Sequence, residues 1–319
     1  MLEVKLFGHS EARYDDQVFE GFPNQQPWLL LCYLILHHDR LLPREQIASM
    51  FWGDASTRRS LKRLRGALWR LRTMLRSEGV ESEGYLRVTE TSIGFAPTRT
   101  WYVDTRAFED TAMSLRNLSG RDLTLESAAE LARAVGLYTG ELLEGVYEDW
   151  CIIERERLNV LYITSLSQLA SFHEANGTYE AGMAYAAKIL SLDETREMIH
   201  RQVMRLHWLW GDRSGALQQY RRCVQILQDE LQVAPMEETR QLYQQILLED
   251  VSTARPALIQ GDIASRDRQS ESIQLLVEQA RHTLHRLNLT LKQADAEFQQ
   301  VKQLLDAIRN APIDAEPDA

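Results

Sequence analysis

The chain of 319 residues has few cysteines and no long apolar run, and each of these absences excludes a class of protein. Its three cysteines, Cys32, Cys151 and Cys223, lie far apart, which predicts neither a disulfide framework nor a zinc site and favours a reducing cytoplasm. No window approaches the roughly 18 consecutive apolar residues of a membrane-spanning helix. The N-terminus alternates between apolar and polar residues, so we expect no signal peptide and no contact with membranes.

Motifs of catalysis and of nucleotide or metal binding are missing as well. The sequence contains no Gly-x-x-x-x-Gly-Lys-Ser/Thr loop, no His-Glu-x-x-His and no Cys-x-x-Cys. His37 and His38 end a predicted helix, where they are expected to cap carbonyl groups, and His282 and His285 have no third ligand beside them. We therefore expect no enzyme, no bound metal and no cofactor.

The net charge of −10, taken alone, argues against a nucleic-acid partner, but the charge is unevenly distributed. Residues 1–104 carry a net charge of +1, residues 105–250 carry −9 and residues 251–319 carry −2. Residues 55–76 contain eight Lys or Arg side chains and no Asp or Glu. Because the electrostatic footprint of a nucleic-acid-binding protein is local, this positive segment outweighs the negative total.

The spacing of apolar residues predicts that this basic segment forms one amphipathic helix. Its core-facing stripe consists of leucines three or four residues apart, at Leu61, Leu64, Leu68, Leu71 and Leu75. The other face is cationic and lacks the acids that form i,i+4 pairs on an ordinary charged helix. The pattern favours contact with nucleic acid, and the alternative is a charged face that meets only solvent.

The elements around the basic helix follow the order of a winged helix-turn-helix. Alternating residues predict short strands near the N-terminus, an apolar run predicts a helix over residues 28–36, and Pro43 is expected in the first turn of a second helix. After the basic helix, residues 85–89 and 93–95 predict a hairpin. Small sheets around three helices are therefore expected in the first third of the chain.

Several short stretches in this third match one family together. They are Leu29–His37, Pro43–Trp52, Leu64–Arg72, Ile93–Pro97 and the pairs Val103-Asp104 and Phe108-Glu109. Residues 28–104 thereby resemble the OmpR/PhoB-type winged helix, in the variant found in SARP-type (antibiotic regulatory protein) bacterial activators. The family's third helix enters the major groove and its wing touches the flanking backbone, so the resemblance implies binding to double-stranded DNA.

The resemblance also implies which side chains contact DNA. Of the helix residues, Arg65 and Arg70 are candidates for base edges, because arginine bonds guanine in a bidentate manner, while the other cations suit phosphates. The full set of candidates is Arg58, Arg59, Lys62, Arg63, Arg65, Trp69, Arg70, Arg72, Arg87, Thr91 and Arg99. The last three of these residues, Arg87, Thr91 and Arg99, would serve the wing.

The basic helix departs from the family pattern at two places. Gly66-Ala67 is smaller than the branched residue and histidine of many relatives, and Trp69 replaces a small or basic residue. Two roles for Trp69 stay open: packing against the wing, or stacking on a DNA sugar or base methyl group.

From residue 105 onward the chain is predicted to be helical, with breaks at glycine or proline. Asn176-Gly177 and Trp210-Gly211 lie 34 residues apart, the period of a tetratricopeptide-like helix pair, and the small Ala181 and Gly215 fall at matching positions. The predicted helices cover residues 105–117, 124–139, 150–175, 179–191, 195–210, 214–228 and 237–248.

A second resemblance covers this helical part. The matching segments are Tyr138–Gly145, Trp150 with Glu154–Leu158, Gly211–Leu217 and Leu231–Pro235. Residues 103–250 look like the bacterial transcriptional activation domain that follows the winged helix in SARP-type activators. The resemblance implies a helical module that assists DNA binding and recruits RNA polymerase. The acidic excess would favour basic protein surfaces, and the alternative is an acidic surface without a partner.

The last 69 residues are predicted to form a linker over 251–272, a coiled-coil helix over 273–310 and a disordered tail over 311–319. Apolar residues step by four and three through five heptads, which favours self-association. Docking onto the same chain, binding another protein's helix, and trimers or tetramers stay open. The residues expected to form the oligomer seam are Ile273, Val277, Leu284, Leu287, Leu291, Phe298, Val301, Leu305 and Ile308.

The sequence thus predicts a mainly α protein: a winged helix over 1–104, tetratricopeptide-like repeats over 105–250 and a C-terminal coiled coil. The favoured function is a sequence-specific transcriptional activator that binds direct repeats in promoter DNA as an oligomer and contacts RNA polymerase. The alternative is a protein-interaction adaptor whose winged helix no longer binds specific DNA. An adaptor would not need a basic helix without acids.

Overall fold

The computed structural model describes residues 1–19, 25–38, 40–53 and 55–248. The linker, coiled-coil helix and tail predicted over 251–272, 273–310 and 311–319 lie outside these residues. Residues 1–248 form one unit whose buried apolar side chains make a continuous core. The predicted domain boundary at residue 104 falls inside this unit.

The chain begins in a four-stranded sheet that joins the two ends of the winged helix. Its strands are ordered β3-β2-β1-β7, and β1 pairs in parallel with β7, with Leu2 opposite Trp101. Leu2, Val4 and Leu6 point into the core, as the alternation predicts. The strands are β1 (Leu2–Lys5), β2 (Glu11–Tyr14), β3 (Gln17–Val18) and β7 (Trp101–Val103).

Three helices and a second sheet form the winged helix that the sequence predicts. The sheet has the order β4-β6-β5, and its β5–β6 hairpin is the wing. Pro43 lies in β4 and precedes the second helix as its N-cap, so the expected place in the first helical turn is wrong. The elements are α1 (Gln26–Leu36), β4 (Leu42–Pro43), α2 (Arg44–Trp52), α3 (Thr57–Ser77), β5 (Leu86–Val88) and β6 (Ser92–Phe95).

The remaining described residues form helices that pack as antiparallel pairs. α7 and α9 begin 34 residues apart, at Tyr179 and Arg213, after Gly177 and Gly211, which both adopt positive φ. This agrees with the tetratricopeptide-like period. The helices are α4 (Asp104–Leu115), α5 (Leu125–Gly136), α6 (Asp149–Ala175), α7 (Tyr179–Leu192), α8 (Glu197–Trp210), α9 (Arg213–Ile226) and α10 (Glu237–Leu248).

A buried carboxylate joins the N-terminal strand to the first of these helices. Asp104 begins α4 and is 5% exposed. It accepts hydrogen bonds from the backbone amides of Leu6 at 2.8 Å, Phe7 at 3.1 Å and Thr105 at 2.7 Å. Burial raises the pKa of Asp104, and the three amide donors oppose that shift. The carboxylate thus satisfies amides that would otherwise be buried without partners.

An aromatic cluster joins the same strand end to the helical module. Phe7 packs edge-on against Phe108, with 5.6 Å between ring centroids, and at a tilt against Tyr138, with 4.6 Å between ring centroids. Tyr138 stacks on Tyr162 of α6 at 4.0 Å. Two helices, α4 and α6, and the loop after α5 therefore share one apolar cluster with the end of the N-terminal strand.

The loop between α5 and α6 continues this contact along the backbone. The amide of Gly8 donates to Glu141 O at 2.8 Å, and the amide of Leu143 donates to Leu6 O at 2.8 Å. A Cβ on Gly140 would lie 2.9 Å from the Cα of Gly8, so this approach requires glycine. The winged helix and the helices that follow it are consequently held together by main-chain as well as side-chain contacts.

We predict that Asp104→Asn lowers the free energy of unfolding by about 3 kcal/mol. The substitution replaces one accepting carboxylate oxygen by an NH2 group, which is a donor and cannot bond the backbone N–H groups that need an acceptor. Chemical denaturation monitored by circular dichroism measures the change. Asp110→Asn, on the exposed side of α4 beside Arg106 at 3.2 Å, is the matched control and should cost no more than about 1 kcal/mol. Equal losses in the two variants would contradict the role given to Asp104.

Candidate nucleic-acid interface

The basic helix α3 is anchored by its apolar face. Leu64, Ala67, Leu68, Leu71 and Leu75 are buried against the core, as the stripe of leucines predicts. Leu61 is half-buried and packs at the edge of the same core. The helix can therefore present its other side without moving relative to the domain.

A buried hydroxyl fixes the start of α3 on the helix before it. Ser60 is 2% exposed, and its Oγ donates to the carbonyl oxygen of Trp52 at 2.7 Å. Trp52 ends α2, so this bond ties the turn of the helix-turn-helix together. Ser56 occupies the N-cap position of α3 without a side-chain capping bond, and Asp54 lies outside the described residues.

The outward face of α3 is a dense array of cations. Among the described residues, no ion pair is formed by Arg58, Arg59, Lys62, Arg65 or Arg70, and all five are exposed. Arg63 and Arg76 are exposed on the same helix. Like charges this close repel each other. A polyanion that binds the helix would relieve this repulsion, and the whole array would stabilise the complex.

Arg72 differs from the other cations of α3. It is half-buried, and its Nε is enclosed without a hydrogen-bond partner among the described residues. The pKa of Glu83 is lowered by hydrogen bonds from its own backbone amide and from Ser82, with smaller contributions from Arg72 and Arg76. Arg72 therefore faces the loop between α3 and the wing as well as solvent.

The wing presents two of the predicted residues. Arg87 on β5 and Thr91 in the β5–β6 turn are both exposed. The backbone amide of Arg44 donates to Thr91 O at 2.9 Å, and Nη1 of the Arg44 side chain donates to Thr89 O at 3.1 Å. Arg44 was missed by the sequence analysis, because nothing in its spacing indicates that the first residue of α2 anchors the wing tip.

Arg99 lies apart from the wing tip. Its guanidinium forms an ion pair with Glu81 and a hydrogen bond with Tyr14, and its side chain packs over Gly84. These partners hold Arg99 between the N-terminal sheet and the loop before β5. The structure therefore favours a structural role for Arg99 over a contact at the wing tip.

Trp69 is the one large apolar residue on the cationic side of α3 within the described part of the chain. Its side chain is 68% exposed, four residues after Arg65 and next to Arg70. An indole packed against the wing would be buried, so that alternative for Trp69 is wrong. The exposed ring remains available for stacking.

The residues outside this surface offer little else for chemistry. Cys32, Cys151 and Cys223 are all buried, and burial raises the pKa of Cys151 to about 11 and of Cys223 to about 12. Cys151 and Cys223 thus serve as small residues of the core. No described helix combines the length and apolar character needed to cross a membrane.

Comparison with known proteins agrees with this arrangement. Residues 103–247 match the family model of the bacterial transcriptional activator domain. The regulatory protein AfsR from Streptomyces griseus is 24% identical over 247 residues, which are 77% of this chain and 24% of that protein. The chain therefore spans about a quarter of the length of that relative.

A solved structure shares the fold. EmbR from Mycobacterium tuberculosis, in complex with a low-affinity phosphopeptide, has a TM-score of 0.64 and 18% identity, covering 83% of this chain and 71% of that one. The chain thus carries a bacterial transcriptional activator domain over residues 103–247, directly after a winged helix. The family match and the similarity to AfsR agree with the resemblance to SARP-type activators found in the sequence.

We predict that Trp69→Ala leaves the free energy of unfolding within about 0.5 kcal/mol of the wild type, because the ring makes few contacts that folding requires. Trp28→Ala is the matched control, since Trp28 is 2% exposed in the same domain and its loss should cost about 3 kcal/mol or more. Thermal and chemical unfolding measure both variants. A large loss for Trp69→Ala would mean that its indole packs in solution.

Proposed function

We propose that the protein binds promoter DNA sequence-specifically through α3, with the wing on the flanking backbone. The observation that carries this proposal is the acid-free, exposed face of Arg58, Arg59, Lys62, Arg65 and Arg70 on a chain whose net charge is −10. Such a face attracts the phosphate backbone by a local field even when the total charge is negative.

Individual side chains divide this work between affinity and specificity. Arg65 and Arg70 point from the middle of α3, where they suit bidentate bonds to guanine in the major groove. Arg58, Arg59, Lys62 and Arg63 suit phosphates, which fix the register of the helix on the duplex. Trp69, exposed between the two base-directed arginines, suits apolar contact with a thymine methyl group or a sugar.

Oligomerisation would match this interface to repeated sites. In the family, paired domains bind direct repeats, and residues 273–310 would supply a coiled coil that links two chains. A link of this kind raises the effective concentration of the second DNA-binding domain once the first has bound.

The helical module is proposed to contact RNA polymerase and so to activate transcription in the cytoplasm. Its net charge of −9 keeps the body of the module away from DNA and favours basic protein surfaces. The proposal involves no catalytic step and no cofactor.

We predict that Arg70→Ala lowers the preference of the protein for its operator over unrelated DNA by about tenfold or more, because one bidentate base contact is removed. Lys62→Ala should weaken binding to all sequences alike and reduce the salt slope by about one, because one phosphate contact is lost. Fluorescence anisotropy over a series of salt concentrations measures both effects.

Arg133→Ala is the control for these variants. Arg133 is exposed on α5, within the acidic module, and its removal should leave binding unchanged. Absence of salt-dependent binding by the wild-type protein to DNA selected from its own upstream region would overturn the proposed function.

A further inference from the structure

The first half of α6 carries an apolar surface that the described residues leave exposed. Asp149, Ile152, Ile153, Glu156 and Val160 follow the spacing of one helix face, and all five are exposed. Ile153 is 68% exposed and Val160 is 53% exposed. We name these five residues the α6 face.

Acidic side chains surround this face without cationic partners. Among the described residues, no ion pair is formed by Glu144, Glu148, Asp149 or Glu156. Tyr147, just before the helix, is 81% exposed beside Glu148. The α6 face is therefore both apolar and negatively charged.

The arginines of α6 that would neutralise these acids are turned toward the protein instead. Arg155 donates to the carbonyl oxygens of Leu142 at 3.0 Å and Val146 at 2.9 Å, which holds the loop before α6. Arg157 donates to Glu109 Oε2 at 3.1 Å and to Glu154 Oε2 at 2.8 Å. The negative charge at the α6 face is thus left for an external cation.

Another side of the same helix segment packs against the winged helix through Trp150. Trp150 packs against Tyr33 of α1 at 5.2 Å and against Phe51 of α2 at 5.8 Å. The next residue of α2, Trp52, accepts the bond from Ser60 that fixes the start of α3. A protein bound to the α6 face would consequently lie beside the domain that holds promoter DNA.

We propose that the α6 face docks a basic, apolar surface of RNA polymerase. The proposal rests on the proposed function and assigns the polymerase contact to named residues. Isoleucine and valine side chains would supply the apolar core of the contact, and Glu148, Asp149 and Glu156 would form an acidic rim that selects a basic partner. Exposed apolar residues bordered by charge are typical of such interaction surfaces.

Photo-cross-linking in the full-length protein tests which partner covers the face. A photoreactive amino acid replaces Ile153, and as control Leu125, which is 79% exposed at the start of α5. Purified RNA polymerase and operator DNA are then added. The proposal requires a cross-link from position 153 to a polymerase subunit and a much weaker one from position 125.

Other cross-linking results would overturn the docking proposal. Equal yields from the two positions would show that the contact is not specific to α6. A product between position 153 and a second copy of the chain, or with residues 249–319 of the same chain, would show that another segment occupies the face.

Transcription from the operator provides a second, independent measurement. The double variant Ile152→Ser/Ile153→Ser should lose about tenfold or more of its activation, as for the centre of an interface, while its affinity for DNA changes less than about twofold. Glu156→Lys should also reduce activation, and Leu125→Ser should not. Full activation by the double variant contradicts the docking site, whereas a wild-type protein that neither binds DNA nor activates contradicts the proposed function itself.

Discussion

The carboxylate of Asp104 connects the parts of this protein that its function requires to act together. It accepts hydrogen bonds from the backbone amides of Leu6 and Phe7, and Asp104 is also the first residue of α4. One buried group therefore joins the N-terminal sheet to the helical module. Phe7 then enters an aromatic cluster with Phe108 and Tyr138. Because β1 of this sheet also pairs with β7, which follows the wing, the basic helix α3 and the repeats share one continuous core.

Charge is separated along this rigid frame. The cations of α3 lie on a surface without acids, whereas the helices after Asp104 carry a large acidic excess. Under the proposed function, this separation would orient the molecule, because DNA would be attracted to one face and repelled from the rest. The same excess leaves the α6 face acidic beside the winged helix, where the proposed docking of a second protein would take place.

Much of this arrangement could be predicted from the sequence, because periodicity reports local structure well. The stripe of Leu64, Leu68 and Leu71 predicted α3 and its exposed side, and the spacing of Gly177 and Gly211 predicted the repeats. Contacts between residues that are far apart in the sequence produce no periodic pattern. The bond from the amide of Leu6, 98 positions earlier, to Asp104 is seen only in the folded chain. The same is true of the ion pair with Glu81 that holds Arg99 away from the wing tip.

The central claim is that α3, and not the acidic repeats, lies against DNA. Ser77→Cys and Ser191→Cys place a thiol at equivalent helix ends, since each serine is exposed and bonds the carbonyl three residues before it at 2.7 and 2.8 Å. The native cysteines are buried with raised thiol pKa values, so a DNA-cleaving iron chelate would attach selectively to the new thiols. Cleavage of operator DNA from position 77 and not from position 191 is the predicted result. Equal cleavage from both positions, with binding preserved, would contradict it.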